Sequence, residues 1–395
     1  MKILQVHNYY ITDGGEEVVV KNERRLLEEH GHLVLEFSKD NHNLSIFDKL
    51  KQVFTAHYSK RVKKEFSAYL KTHTVDVIHI HNTFPQITPS VLDSAVALSI
   101  PVVFTLHNYR LVYPNGLLYY NGKIDERSLQ DSDFSCVWDG VYRNSVFLTA
   151  LVAHHIEYHR KKSTWKNKVD QFIIPTNFAK KKLIEGGLPS HKMVTKPHFL
   201  FDPVQVQPKE KTNHKNFLFI GRIIKEKGID TVLKAWEKID SEYNLLIVGE
   251  GPLKATLMQK YVHKKNIQWV GKIEYNEVFR HLQNSEGMIF SSEWYETFGL
   301  TIIEAYGSGV PVICSNLGSH AELVDDHKTG LLYEAGNPDD LAIQINKLIS
   351  DKVLKDQLGK YARKKYKSEY APEKNYQELM HIYKKAIQHK KRVAK

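Results

Sequence analysis

Short apolar runs separated by amphipathic stretches recur along the whole chain. In the first half, apolar runs fall at residues 1–6, 33–37, 76–80, 101–105 and 171–174. Helical patterning fills the gaps at about 14–30 and 89–98. In the second half the runs fall at 216–220, 244–248, 267–270, 288–290, 311–313 and 330–333. Helices are predicted at about 228–239, 252–264 and 275–282, and after Asn337-Pro338-Asp339-Asp340, an N-cap followed by proline. Most of these runs are continuously apolar rather than alternating. That marks strands covered on both faces, and strands alternating with helices build parallel α/β sheets.

Between the two series lies a proline-interrupted stretch from Lys196-Pro197-His198 through Asp202-Pro203 to Gln207-Pro208. It has no helical period and reads as a linker over 199–210. The expectation is α/β, with two Rossmann-like halves at 1–198 and 211–374. A closing helix at 375–395 is expected to pack back on the first half. Ligands of such sheets sit at the carboxyl ends of the strands. A length of 395 residues fits two domains.

Composition narrows the class. The chain is 42% hydrophobic and 26% charged, which excludes a disordered protein. No apolar run approaches the roughly 18–20 residues that span a bilayer, and the N-terminus enters a strand at once. A cytoplasmic protein is expected. The two cysteines, Cys136 and Cys314, make neither a disulfide framework nor a metal spacing. A net charge of +11 implies an anionic partner: nucleic acid, phosphorylated small molecules or acidic lipid.

Two stretches concentrate the chemistry. Gly221-Arg222-Ile223-Ile224-Lys225-Glu226-Lys227-Gly228 directly follows the first strand of the second half, so Arg222 and Lys227 sit at a strand's carboxyl end. Arginine forks onto phosphate oxygens and lysine adds a point charge. The run Ser291-Ser292-Glu293-Trp294-Tyr295-Glu296-Thr297-Phe298-Gly299-Leu300-Thr301-Ile302-Ile303-Glu304 follows the strand at 288–290. A helix is expected to begin across Thr297 to Leu300, and its N-terminal N–H groups favour anions. Two cations and a helix N-terminus can neutralise a diphosphate without a metal. Taken alone, Glu296 and Glu304 also read as acids favoured by the helix dipole.

With Gly14-Gly15, His107 and Gly249-Glu250-Gly251-Pro252, these residues resemble the retaining glycosyltransferases of family GT4, with the two-domain GT-B architecture. The likeness to cell-surface polysaccharide enzymes extends to Tyr109-Arg110-Leu111-Val112-Tyr113-Pro114-Asn115-Gly116. The resemblance implies a role for each position. Arg222 and Lys227 would hold the donor diphosphate, and Glu304 the ribose. Glu296 and His107 would meet the transferred sugar. Thr297 and the backbone of Phe298, Gly299 and Leu300 would line the phosphates or sugar, while Gly271, Lys272 and Ile273 would frame the base. Gly15 would let its backbone approach the phosphate. Asn108 and Arg110 would line the acceptor side. A nucleotide-sugar donor, with UDP first, and a lipid-linked or glycan acceptor follow, with no cofactor and no metal.

Three further readings remain open at this stage. Basic residues interleaved with aromatics, from Lys49 to Lys71 and from Arg160 to Lys168, suit an anionic membrane surface on the inner face of the cell membrane. Asp131-Ser132-Asp133 spells the acidic motif of a metal-dependent class but lacks a preceding strand, and is expected to be a surface loop. Competing functions are a sugar-nucleotide epimerase or hydrolase of the same architecture and, from the charge, a nucleic-acid binder, which is not expected.

Overall fold

The computed structural model describes residues 1–10, 14–40, 54–203 and 215–393. Asp13, Lys49 and Lys51, and the later part of the expected linker, lie outside them. Two compact units are present. One comprises Met1–Tyr120, Asp125–His198 and Pro372–Lys395; the other comprises Asn121–Ile124 and Phe199–Ala371.

The N-terminal unit is built on strands β1 (Lys2–Tyr9), β2 (Leu33–Asp40), β3 (Val77–Ile80), β4 (Val102–Thr105), β5 (Gln171–Ile174) and β6 (Met193–Thr195). They form one parallel sheet in the order β2-β1-β3-β4-β5-β6. The order reverses between β1 and β3, so loops leaving these strands diverge and open a crevice there. After β1 comes helix α1 (Gly15–Glu29), and α2 (Lys60–Thr72) precedes β3. Helix α3 (Val91–Ala97) leads to β4, and α4 (Val146–Lys161) precedes β5. Met1, Ile3, Val77, Val103 and Ile173 on one sheet face pack with Leu379, Ile382 and Tyr383 from the last helix, Pro372–Val393.

The C-terminal unit repeats the scheme with β7 (Lys215–Ile220), β8 (Tyr243–Val248), β9 (Ile267–Gly271), β10 (Gly287–Phe290), β11 (Val312–Ser315) and β12 (Gly330–Tyr333). The order is β9-β8-β7-β10-β11-β12, all parallel. Alternate residues serve opposite faces. Phe217, Phe219 and Ile289 join Trp236 and Ile345 on one side. Leu218, Met288 and Phe290 join Ile302, Tyr306 and Leu282 on the other. Each such burial is worth roughly 1.5–3 kcal/mol, which explains why the strand centres, such as residues 217–219, 245–248 and 288–290, are apolar. Asn337 caps the helix Pro338–Ser350, accepting from the N–H groups of Asp339 and Asp340. Phe199–Pro203, the described part of the linker stretch, packs within this unit: Tyr366 donates to the Leu200 carbonyl at 2.9 Å.

One expectation fails here. Asp131 and Ser132 are exposed, but Asp133 is fully buried. Arg160 explains it, donating to Asp133 Oδ1 at 2.8 Å, because a buried carboxylate is tolerated when paired. Burial nevertheless raises its pKa to about 7, against the pull of Arg160. The same pair removes Arg160 from the basic surface. Lys161 pairs with Glu157, and Lys168 with Asp93. Trp165, on the same segment, is a core residue.

Candidate functional site

In the C-terminal unit the sheet reverses between β7 and β10, and the loops leaving these two strands carry the two stretches singled out above. The β7 loop runs through Gly221 and Arg222 into a single 3-10 turn, Lys225–Lys227, and ends at Gly228. Gly228 is left-handed, with φ +66°, and a Cβ there would stand 2.0 Å from the Ser291 carbonyl oxygen. Only glycine permits that approach. Ser291 Oγ then donates to the Lys227 carbonyl at 2.7 Å. The two loops are thereby fastened backbone to backbone.

The fastening places Lys227 Nζ 2.5 Å from Glu296 Oε1. The same oxygen accepts from Ser292 Oγ at 2.7 Å and from Trp294 Nε1 at 2.8 Å. Burial pushes the Glu296 pKa up, but Lys227 and the Ser292 hydrogen bond outweigh it, and the carboxyl stays below its ordinary range. Glu296 is therefore an ionised acceptor. Behind it, Ser315 Oγ donates to the Ser292 carbonyl at 2.8 Å and lies 2.9 Å from His320 Nε2. Burial lowers the His320 pKa to about 4, so this imidazole is neutral. Arg222 is exposed and has no ion-pair partner among the described residues.

The following helix, Leu300–Gly307, starts at the end of the expected window. Gly299 is its N-cap, and Thr297 and Phe298 precede it. Phe298 is held in the core beside Ile302 and Tyr370 rather than in the first turn. Glu304 lies in the middle of the helix and is almost wholly buried. Burial raises its pKa to about 7, opposed by a hydrogen bond with the Tyr275 hydroxyl. The helix-dipole reading of Glu296 and Glu304 thus fails on position, since Glu296 precedes the helix and Glu304 is past its first turn. At the neighbouring strand ends, Gly271 (φ +83°) accepts from the Gly249 N–H at 2.8 Å. Lys272 is exposed and Ile273 half-buried.

In the N-terminal unit, Gly14 caps α1 and Gly15 is its first residue. Gly14 is extended (φ −138°), and a Cβ would meet only the Glu17 carboxylate, at 3.5 Å. Nothing described within the chain demands glycine there. His107, just past β4, has Nε2 3.1 Å from His81 Nδ1. Burial, then His198 and His81, hold its pKa well below the ordinary value. Arg110 lies over the Phe84 ring at 4.7 Å and donates to the Pro114 carbonyl, and Asn108 Oδ1 accepts from the Arg110 N–H. Both therefore brace their own loop.

In the C-terminal unit Arg222, Lys227 and Glu296 follow the two strands of the reversal, whereas in the N-terminal unit Gly15 follows β1 and His107 to Arg110 follow β4. Arg222, Lys227, Glu296 and Thr297 through Glu304 belong to the C-terminal unit; Gly15, His107, Asn108 and Arg110 belong to the N-terminal unit. Sequence reasoning missed Ser292, Trp294, Tyr275 and His320. Ser291-Ser292 immediately after an apolar strand was a usable signal. Nothing in the sequence linked Tyr275 to Glu304.

Residues 202–365 match the family described as "Glycosyl transferases group 1". An uncharacterised glycosyltransferase of Methanocaldococcus jannaschii is 24% identical over 97% of this chain and 98% of its own length. The capsular polysaccharide biosynthesis glycosyltransferase CapM of Staphylococcus aureus is 27% identical over 53% of this chain and 58% of its own. Among solved structures, Anabaena HepE in complex with UDP-glucose superposes with a TM-score of 0.68 at 16% identity, over 96% of this chain and 98% of that one. That likeness speaks to the fold. The chain has the GT-B fold, and its residues 202–365 match the group 1 glycosyl transferases.

Proposed function

We propose that this protein transfers a sugar, with retention of anomeric configuration and without a metal, from a UDP-sugar to a lipid-linked or polysaccharide acceptor in cell-surface glycan synthesis. The observation that carries the reading is the Gly228-fastened pair of loops, which sets the Lys227 ammonium and the Glu296 carboxylate side by side, three residues ahead of a helix N-cap at Gly299. HepE was solved with UDP-glucose, and CapM serves capsule synthesis, which supports the donor and acceptor classes.

In this reading Arg222 and Lys227 take the diphosphate oxygens, and the N–H groups at Gly299 and Leu300 add to the anion site. Thr297 and Phe298 line the approach to the sugar. Gly271, Lys272 and Ile273 frame the base. Gly15 and His107 are the N-terminal unit's contribution to the donor, and Asn108 and Arg110 shape the acceptor loop. The sugar C1–O bond to phosphate breaks as the acceptor oxygen bonds C1 on the same face. The acceptor proton passes to the departing phosphate. Cations on that phosphate are worth more as its charge grows, which is differential stabilisation of the transition state.

Glu304 would accept from the ribose hydroxyls in its ionised form. Its raised pKa means a proton must leave on binding below about pH 7. Nucleotide affinity is therefore expected to rise with pH and level off above 7, weakening up to about tenfold per unit below it. Glu304→Gln should flatten that profile. Titration calorimetry of UDP across pH 5.5–8.5 checks it, and an unchanged profile in the variant would remove Glu304 from the ribose.

A thermal-shift screen of nucleotides and nucleotide sugars tests the donor site itself. Millimolar UDP or a UDP-sugar should stabilise the protein by mass action, and Arg222→Ala should abolish most of the shift. No shift with any nucleotide would sink the assignment. Turnover of donor without acceptor would instead favour the epimerase or hydrolase alternative.

In this reading a membrane-facing surface lies at the Phe54 end of the first basic segment rather than at Arg160 to Lys168, where Arg160, Lys161 and Lys168 are paired with acids. Phe54 and Phe147 are each more than half exposed, with ring centroids 6.2 Å apart. No described helix is long and apolar enough to cross a membrane. Phe54→Ser with Phe147→Ser should reduce co-sedimentation with anionic vesicles severalfold; equal sedimentation of variant and wild type would refute this placement.

A further inference from the structure

The loop that carries Glu296 is anchored on two sides. In the sheet β10 lies between β7 and β11, and the first two residues after β10 reach to opposite neighbours. Ser291 is fastened to the β7 loop, its Oγ donating to the Lys227 carbonyl. Ser292 is fastened to β11, whose last residue, Ser315, has its Oγ 2.8 Å from the Ser292 carbonyl oxygen. Ser315 Oγ in turn lies 2.9 Å from Nε2 of His320, in the short helix Gly318–Leu323. Ser292, Ser315 and His320 are all buried. The donor contacts named above use neither Ser315 nor His320.

We propose that Ser315 and His320 are positioning residues that set the Glu296 carboxylate for sugar transfer through Ser292. The catalytic use of Glu296 rests on the function proposed above; the chain of hydrogen bonds does not. Its protons are ordered by which atoms carry them. The hydrogen between Ser315 Oγ and the Ser292 carbonyl is Ser315's own, because a carbonyl has none. A hydroxyl has one proton to give, so the proton between Ser315 Oγ and His320 Nε2 belongs to the imidazole. The ring faces the Ser292 carbonyl as well, an acceptor that favours the same N–H. The Tyr333 hydroxyl, from the strand position paired with Ser315, approaches Ser315 too, and as a donor it leaves this order unchanged. Imidazole in its Nε2–H form and imidazolium both satisfy it. His320 Nδ1 is buried with no hydrogen-bond partner. A second proton there would be stranded, which agrees with a pKa lowered by burial to about 4.

The chain therefore passes from His320 Nε2–H to Ser315 Oγ, from the Ser315 O–H to the Ser292 carbonyl, and from the Ser292 O–H to Glu296 Oε1. Lys227 Nζ and Trp294 Nε1 meet the same carboxylate oxygen. A diphosphate that shares the Lys227 ammonium draws that cation toward itself. Ser292 is the donor whose own peptide is tied to a neighbouring strand, so it keeps the carboxylate in place as the nucleotide sugar binds. A reacting group displaced by about 1 Å can lose ~10²-fold in rate.

The test pairs kinetics with NMR on the full chain. His320→Leu removes the N–H, and Ser315→Ala removes the link to Ser292 should the first variant fail to fold. Each should lower kcat by about ten- to a hundredfold while the Kd for UDP stays within a few-fold. His320→Gln, which offers an N–H at similar reach, should recover most of the rate. On the Glu296→Gln background, His320→Leu should cost little further kcat. Histidine proton–nitrogen correlation, with His320 assigned from His320→Gln, should show the Nε2–H form and no titration between about pH 6 and 8. Three results would overturn the proposal and leave the donor site standing: Nδ1–H for His320; losses that simply add on the Glu296→Gln background; or wild-type kcat in both His320→Leu and Ser315→Ala beside an impaired Glu296→Gln. Wild-type kcat in Glu296→Gln itself would overturn the part given to Glu296 in the proposed function, and the positioning role with it.

Discussion

Lys227→Ala is expected to lower kcat/KM by roughly 10²–10³-fold, the loss seen when one preorganised donor to a developing anion is removed. The structure adds a complication that sharpens the test. Lys227 is paired with Glu296. Removing either partner alone strands the other, and both are mostly shielded from solvent. The stranded Glu296 keeps its Ser292 and Trp294 donors, so the stability cost should fall below the ~3–5 kcal/mol of a fully buried broken pair. The functional split separates the roles. Lys227→Ala should weaken free UDP as well as slow turnover. Glu296→Gln should leave UDP binding within a few-fold and act chiefly on kcat, because the free nucleotide has no sugar to meet it. A double-mutant cycle measured on kcat and on thermal stability resolves the pair. Wild-type kcat/KM in Lys227→Ala would make the pair purely structural.

Gly228→Ala should be strongly damaging to the C-terminal unit. Left-handed backbone costs a non-glycine residue about 1–3 kcal/mol, and the new Cβ would stand 2.0 Å from the Ser291 carbonyl oxygen. Backbone, not a flexible side chain, must give way, which adds about 1–3 kcal/mol. The loops would separate, taking Lys227 from Glu296. The expected readout is a large fall in Tm and, in whatever fraction folds, loss of the UDP-induced shift. Arg222→Ala serves as the contrast, since its exposed side chain should cost the donor response with little change in Tm. A Gly228→Ala protein with the wild-type Tm and UDP response would show that the close approach is dispensable.

Much of this molecule was legible before folding was considered. The centre of a parallel strand covered on both faces is apolar, so β7, β8, β10 and β11 announced themselves as short apolar runs. Proline after Asn337 and paired acids marked a helix start that the structure reproduces. The helix start was expected only to within Thr297 to Leu300, because Phe298 is apolar in either setting. Only the core beside Tyr370 shows that it packs before the helix begins. Asp133 was misread for a related reason: nothing near it in sequence says that Arg160, 27 residues on, would pay for its burial.

The sequence by itself determined the α/β alternation, the two halves and the stretches at strand ends where charge gathers, because these follow from local period and from residue types in short windows. Tertiary structure alone decided which charges meet. Lys227 and Glu296 are 69 residues apart, and Arg160 and Asp133 are 27 apart. Their pairings depend on strand order, on one glycine that lets two backbones touch, and on burial that holds each proton where it is. Strand order and burial are properties of the packed chain, and no window of sequence contains them.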